Sequence, residues 1–265
     1  MLTNDFLGDN IARLGFGAMR LPIIDGDASN VDQATLDAMV DTAIKAGINY
    51  FDTAYPYHGG MSEMCIRDRG HQIADTYDPA VIFEEQLTKC GTEYFDFYLL
   101  HNIYEASIEV YLDEQWGIAD YFVEQKKNGR IRHLGFSCHG RPETLKRFLD
   151  YGARKYAELE QRDPETAALF AGNNIMEFCQ IQLNYLDWTL QDAAAKTALL
   201  ESMNIPIVVM EPLRGGKLAR LNDAQMQQLN ASALDGANPP ARSAVEWSFR
   251  WLLGIPNVKT ILSGM

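Results

Sequence analysis

Seven short runs of apolar, β-branched or aromatic residues recur along the chain, at residues 14–21, 48–53, 94–101, 131–137, 178–184, 205–210 and 258–262. Most are separated by stretches whose apolar residues fall three and four apart, as in Leu36, Met39, Val40, Ala43 and Ile44, or Leu112, Trp116, Ala119, Phe122 and Val123. That spacing lays one apolar stripe along a helix. Strand alternating with helix requires parallel strands and predicts an α/β fold. Gly47 and Gly129 stand where C-terminal helix caps belong, each directly before an apolar run. The length of 265 residues is close to that of a (β/α)8 TIM barrel, typically about 250. No fixed-period repeat, low-complexity tract or linker interrupts the pattern, so residues 1–265 are read as a single barrel domain.

The spacing of the runs marks two anomalies. One strand-plus-helix unit takes 34 residues from Leu14 to Ile48 and 37 from Tyr94 to Ile131, but the step from Ile48 to Tyr94 is 46. That is too long for one unit and too short for two. Within it only residues 79–90 have a clean helical pattern, and residues 55–78 hold no apolar run longer than three. If the fold is an eight-stranded barrel, its third strand and the preceding helix are missing. Residues 151–174 are the opposite case, longer than an ordinary connection, and read as an extended helix plus a surface insertion.

Composition excludes several function classes. With 47% hydrophobic and 22% charged residues the chain can bury a sizeable core, which excludes disorder. A formal charge of -13 would repel a phosphate backbone, and basic residues cluster only at Lys126, Lys127 and Arg130, so nucleic acid is not an expected partner. No apolar run reaches the roughly 20 residues that cross a bilayer, and residues 1–10 lack the pattern of a signal peptide. A cytoplasmic location without membrane contact is expected. Cys65, Cys90, Cys138 and Cys179 include no C-x-x-C pair. They are read as reduced, mostly buried thiols, with neither a disulfide framework nor a metal site.

In parallel α/β barrels reactive side chains project from the carboxyl ends of the strands into a shared mouth. The second strand ends at Asp52, with Tyr57 on the loop that follows, and the fourth ends at His101. A tyrosine hydroxyl suits proton donation to a developing alkoxide, and a histidine can hold a carbonyl by hydrogen bonding. Taken singly, each has a plainer role: Asp52 a turn cap, Tyr57 a loop aromatic, His101 a hydrogen-bonded rim residue.

Six stretches in order resemble the aldo/keto reductase family, in particular its bacterial branch of predicted oxidoreductases: Leu14-Gly-Phe-Gly-Ala-Met-Arg-Leu21, Asn49-Tyr-Phe-Asp-Thr-Ala-Tyr-Pro-Tyr57, Asp96-Phe-Tyr-Leu-Leu-His-Asn102, Gly129-Arg-Ile-Arg-His-Leu-Gly-Phe-Ser137, Gln180-Ile-Gln-Leu-Asn-Tyr185 and Met210-Glu-Pro-Leu-Arg-Gly-Gly216. The resemblance implies NADPH-dependent reduction of a small-molecule carbonyl, with hydride from the nicotinamide and a proton from Tyr57. It implies that Asp52 pairs with a catalytic lysine, that His101 orients substrate, and that Ser137 and Gln180 hold the nicotinamide carboxamide. Met210 falls where many members stack an aromatic ring on the nicotinamide, and is otherwise a core methionine. Leu213, Gly215, Gly216 and Lys217 fall on the loop that wraps the cofactor pyrophosphate, and otherwise form a plain turn. Tyr55, His58, Tyr104 and Trp188 are further pocket candidates or ordinary loop residues.

The chain departs from the family where its spacing is anomalous. The catalytic lysine belongs on the third strand, yet no lysine occurs between Lys45 and Lys89. The gap holds Met64-Cys65-Ile66-Arg67-Asp68-Arg69, which resembles a translated sequencing-adapter fragment of the kind found in metagenome-derived sequences. Met61-Ser-Glu63 and Gly70-His71-Gln72 are then flanks joined across a lost segment, and a natural surface insertion is the competing reading. Without the lysine, Asp52 would disfavour ionisation of Tyr57. A barrel missing one strand exposes two edges, so it should close with seven strands, recruit another segment or aggregate, and poor folding is expected. The resemblance also implies helices beyond Met265 that grip the adenosine 2'-phosphate, and an iron–sulfur cluster would belong only to a further C-terminal region of that branch. The alternative to an enzyme is a nicotinamide-binding auxiliary or sensing protein without turnover. A barrel isomerase or aldolase would have no use for Ser137 with Gln180.

Overall fold

The structure, a computed structural model, describes residues 1–54, 57–60, 78–231 and 241–264. In chain order its elements are β1 (Thr3–Phe6), β2 (Asp9–Ala12), β3 (Leu14–Gly17), α1 (Gln33–Lys45), β4 (Phe51–Asp52), α2 (Pro79–Cys90), β5 (Phe95–Ile103), α3 (Ile108–Leu112), α4 (Ile118–Lys127), β6 (Ile131–Cys138), α5 (Pro142–Arg162), α6 (Pro164–Ala167), β7 (Phe178–Gln182), α7 (Asp187–Leu190), α8 (Ala193–Ser202), β8 (Ile207–Met210), α9 (Asp223–Ala231), α10 (Ala244–Leu253) and β9 (Val258–Gly264). Helix starts follow local chemistry, since Asp32, Asp78 and Ser243 each accept a backbone N–H of the first turn. Gly47 and Gly129 take the positive φ expected of them.

The seven expected strands are β3 to β9. They form one parallel sheet in the order β4-β3-β9-β8-β7-β6-β5. The sheet curls strongly enough that Tyr50, beside one edge strand, meets Phe97 of the other, with ring centroids 5.2 Å apart. The expectation of a (β/α)8 pattern lacking one strand holds in part: the described residues form a curled half-barrel of seven parallel strands. Among the described residues β4 and β5 are the edges of this sheet and do not pair with each other. Residues 61–72, including the hexapeptide at 64–69, lie outside the described residues, as does Tyr55.

The hairpin β1–β2 was not expected. It turns through Leu7 and Gly8, both at positive φ, and carries Phe6 into the sheet's interior. There Phe6 stacks on Phe97 at 4.8 Å and meets Phe178 edge-on at 5.6 Å, plugging the curl beside the amino ends of the strands. Asp9 ties the hairpin to β6 through Arg132 (2.9 Å) and His133 (3.2 Å).

The larger core lies between the sheet and the helices of the β5 to β8 side, built on Tyr98, Phe122, Phe136, Phe148 and Leu200. Residues 151–174 extend α5 to Arg162 and then run largely exposed, as expected, but a few side chains anchor the segment to this core. Leu159, Ala167 and Phe170 are buried, and Asn174 donates to the Leu149 carbonyl at 2.9 Å. Gly152 makes the close approach feasible, because a Cβ there would stand 2.2 Å from the Asn174 side-chain oxygen. Behind the segment a buried ion pair, Lys126 with Glu177 at 2.8 Å, is completed by the Leu134 and Ala171 N–H groups, both donating to Glu177. Cys138 and Cys179 are buried free thiols and Cys90 is partly buried. No helix of the described residues is long and apolar enough to cross a membrane.

Candidate active site

At the carboxyl ends of the strands lies a cavity of about 790 Å³. Of the residues selected from sequence, Asp52, Tyr57, His101, Ser137, Gln180, Met210, Leu213, Gly215 and Gly216 line it. Lys217 is exposed and lies outside the lining. Among the pocket candidates Tyr104 lines the cavity, whereas His58 and Trp188 do not. His58 is a structural clasp: its Nε2 accepts the Leu21 N–H at 2.9 Å, so its Nδ1 donates to the Ala28 carbonyl at 3.0 Å. Trp188 packs edge-on against Trp251 at 5.2 Å.

Strand register explains why the selected residues meet. Asp52 pairs with Gly17 across β4 and β3, and Ser137 pairs with Gln180 across β6 and β7, so each lies at the same level of the sheet as its partner. The β5–β6 register shifts between Leu100 and Ile103, and Asn102 takes a φ of 60°. That irregularity turns the Asn102 N–H onto Ser137 Oγ at 2.7 Å. The serine hydroxyl proton then remains to donate elsewhere. The Gln180 side-chain NH2 lies 3.9 Å from the Met210 sulfur, while Gln180 Oε1 is buried without a partner among the described residues.

Electrostatics at the other side of the cavity run against ionisation. Burial pushes the Asp52 carboxyl up to about 7, partly offset by a hydrogen bond from Gln180. Burial also drives the Tyr57 hydroxyl well above the usual phenol range, reinforced by the Asp52 and Glu211 carboxylates and opposed by Arg20. No lysine among the described residues lines the cavity. His139, at the rim beyond β6, has its imidazole pushed down by burial and by Lys196, which favours the neutral ring.

Several lining residues were not singled out from sequence. Arg20 follows β3 and Glu211 follows β8, and they pair across the cavity at 2.9 Å, 191 residues apart in the chain. Gln182 donates to the buried Asp187 carboxylate at 2.8 Å. Arg20, Gln182 and Glu211 all lie inside the quoted motifs, so the available signal was their position at strand ends. Their pairing has no sequence signal.

A curled parallel sheet flanked by helices, with polar side chains converging at the strand carboxyl ends, defines a protein of the α/β barrel class. The aldo/keto reductase family model matches residues 13–82 and 78–265, and the chain belongs to that family. It is similar to a curated protein described as "Uncharacterized oxidoreductase YqkF" of Bacillus subtilis, 29% identical over 164 residues that cover 53% of this chain. The match spans 49% of that relative's length. In fold it is similar to the holo form of aldo-keto reductase AKR11C1 from Bacillus halodurans, with a TM-score of 0.66 at 22% identity over 97% of this chain and 83% of that one. It is also similar to the thermostable aldo-keto reductase Tm1743, solved with the inhibitor epalrestat, with a TM-score of 0.62 at 21% identity over 100% of this chain and 90% of the other.

Proposed function

We propose that this chain is an oxidoreductase of the kind that reduces aldehydes or ketones to alcohols with NADPH, with Tyr57 as proton donor, and that it is impaired as it stands. The observation that carries the reading is the convergence of Asp52, Tyr57, His101, Ser137 and Gln180 on one cavity. The residues present fit a nicotinamide carboxamide. Ser137 has a hydroxyl proton to give to its carbonyl, and the orphaned Gln180 Oε1 can accept from its amide nitrogen. When bound, the nicotinamide supplies hydride to the carbonyl carbon.

Tyr57 then gives its hydroxyl proton to the carbonyl oxygen, and His101 orients that oxygen by hydrogen bonding. Efficiency requires the donor's proton affinity to fall near working pH. Burial, Asp52 and Glu211 move Tyr57 the other way, so its proton is released reluctantly. Asp52 would serve as partner to the catalytic lysine that the resemblance places on the third barrel strand. The lost-segment reading is supported by a family match that comes in two stretches meeting at 78–82. Resequencing the source locus tests it: an uninterrupted natural frame through residues 64–69 would refute the loss.

The raised Tyr57 also favours the second reading, a nicotinamide-binding protein without turnover. NADPH fluorescence on mixing, followed by addition of an aldehyde, separates the two. Quenching with oxidation that Tyr57→Phe abolishes supports the reductase, quenching alone supports the binding protein, and no quenching contradicts both.

A further inference from the structure

At the end of the sheet away from the cavity, His133 stands between two carboxylates. Its Nε2 lies 3.2 Å from Asp9 Oδ2 on β2, and its Nδ1 lies 3.6 Å from Glu177 Oε1, just ahead of β7. A neutral imidazole carries one ring proton, so either tautomer would aim a lone pair at one of these carboxylates. Only the doubly protonated ring presents N–H to both. Nδ1 is buried and makes no hydrogen bond among the described residues, so its attraction to Glu177 is one between charges.

The surroundings call for the same charge. Burial alone would raise Glu177, but the His133 ring, Lys126 and the Leu134 N–H hold its carboxyl below the ordinary carboxylate range, so it stays ionised. Lys126 of α4 meets Glu177 at 2.8 Å. Asp9 also meets Arg132 of β6 at 2.9 Å, and Arg132 reaches Asp96 of β5 at 2.8 Å. The cluster therefore holds three carboxylates and two permanent cations, and a protonated His133 is the third cation. With a neutral ring one negative charge is left uncompensated around a side chain that is only 12% exposed. Phe97 of β5 lies against the ring at 4.9 Å, and an aromatic face attracts a cation.

We propose that His133 is a proton-dependent clasp for the β1–β2 hairpin: the charged ring joins Asp9 of the hairpin to the buried Glu177, and loss of its proton loosens the hairpin with its Phe6 plug. The clasp holds more than a surface turn. Phe6 meets Tyr50, beside β4, at 6.3 Å and Phe97 of β5 at 4.8 Å, so the hairpin bridges from the inside the two strands that form the sheet's edges among the described residues. Docked carboxylates favour the charged ring in the closed hairpin, so the contribution is present at the acid end of the range and lost as pH rises. Histidine is the side chain whose charge changes near neutrality, between about pH 5 and 8, so the clasp works where no other member of the cluster changes charge.

The test is hydrogen exchange of the full chain and its His133→Gln variant at pH 6 and pH 9, expressed as protection relative to the intrinsic rate at each pH and read at the hairpin amides, residues 3–6 and 9–12. Glutamine keeps a polar side chain and never carries charge. The expected result is that hairpin protection in the unaltered chain falls between the two pH values by about fivefold more than in the variant, the range of one partly exposed ion pair. Comparing the two chains cancels the titration of Asp52, which they share. Nitrogen NMR of the unaltered chain is the second measurement and serves if the variant does not fold: both His133 ring nitrogens should carry protons at pH 6, and the loss of one should coincide with the loss of hairpin protection. A neutral ring at pH 6, equal pH dependence in the two chains, or a ring that loses its proton while the hairpin stays equally protected would overturn the proposal.

Discussion

The two walls of the cavity are built differently. On one side Ser137 and Gln180 stand on β6 and β7, central strands paired on both sides and buried against α5 and α8. On the other, Asp52 ends a two-residue strand that pairs only with β3, and its neighbour Phe51 is 43% exposed. The residues suited to hold a nicotinamide are thus set in the packed half, and those suited to move a proton stand on the open edge. On the proposed function, binding and turnover depend on different parts of the molecule, so damage near β4 would remove the second while sparing the first.

The largest expected difference is in stability. Phe136→Ala empties a fully buried site packed 4.8 Å from the Phe148 ring and should cost about 3–5 kcal/mol. Phe51→Ala, at the open edge, should cost less than about 1 kcal/mol. Denaturant unfolding of the two variants measures both, and equal losses would erase the distinction.

A second effect depends on pH. Asp52 is raised to about 7 in the folded chain from an ordinary 3.8, so the unfolded state loses its proton first as pH rises. Stability from this group is complete below about 4 and is lost through the window up to about 7. Asp52→Asn should therefore stabilise the chain at pH 8 by roughly 2–4 kcal/mol and leave it unchanged near pH 3. Melting temperatures at the two pH values check this, and a gain of equal size at both would show that charge burial is not the cause.

On ligand binding the contrast reverses. Ser137→Ala and Gln180→Ala should each weaken NADPH binding by about tenfold, the worth of one good hydrogen bond, while Tyr57→Phe should change it by less than about twofold. Fluorescence titration reads all three. The smallest effect belongs to the hairpin plug, where Asp9→Ala should cost about 1 kcal/mol by releasing Arg132 and His133.

What was legible in the sequence follows the same division. The β6 to β9 strands and α2 read plainly, because buried parallel strands are continuous apolar runs and α2 carries its own Asp78 cap and Pro79 start. The anomalous step from Ile48 to Tyr94 was legible as spacing. The hairpin was not, since Asn4, Asp5, Asp9 and Asn10 give its short strands no apolar alternation, and Leu7 is a poor marker for a turn residue at positive φ. Residues 151–174 were read correctly as an extended helix with an exposed continuation, but the Gly152–Asn174 contact that anchors them is tertiary and had no local signal. At the site, strand ends located nearly every selected residue, but the Arg20–Glu211 pair joins positions with no local relation. Only the folded chain brings them together.

The division between the walls is tested most directly by native-state hydrogen exchange with and without saturating NADPH, followed residue by residue. The expected result is strong protection of the β6 and β7 amides, weak protection at Phe51 and Asp52, and added protection on NADPH binding confined to residues 135–138, 178–182 and 210–216. Uniform protection across β4, β6 and β7, or a response to NADPH that centres on β4, would contradict it.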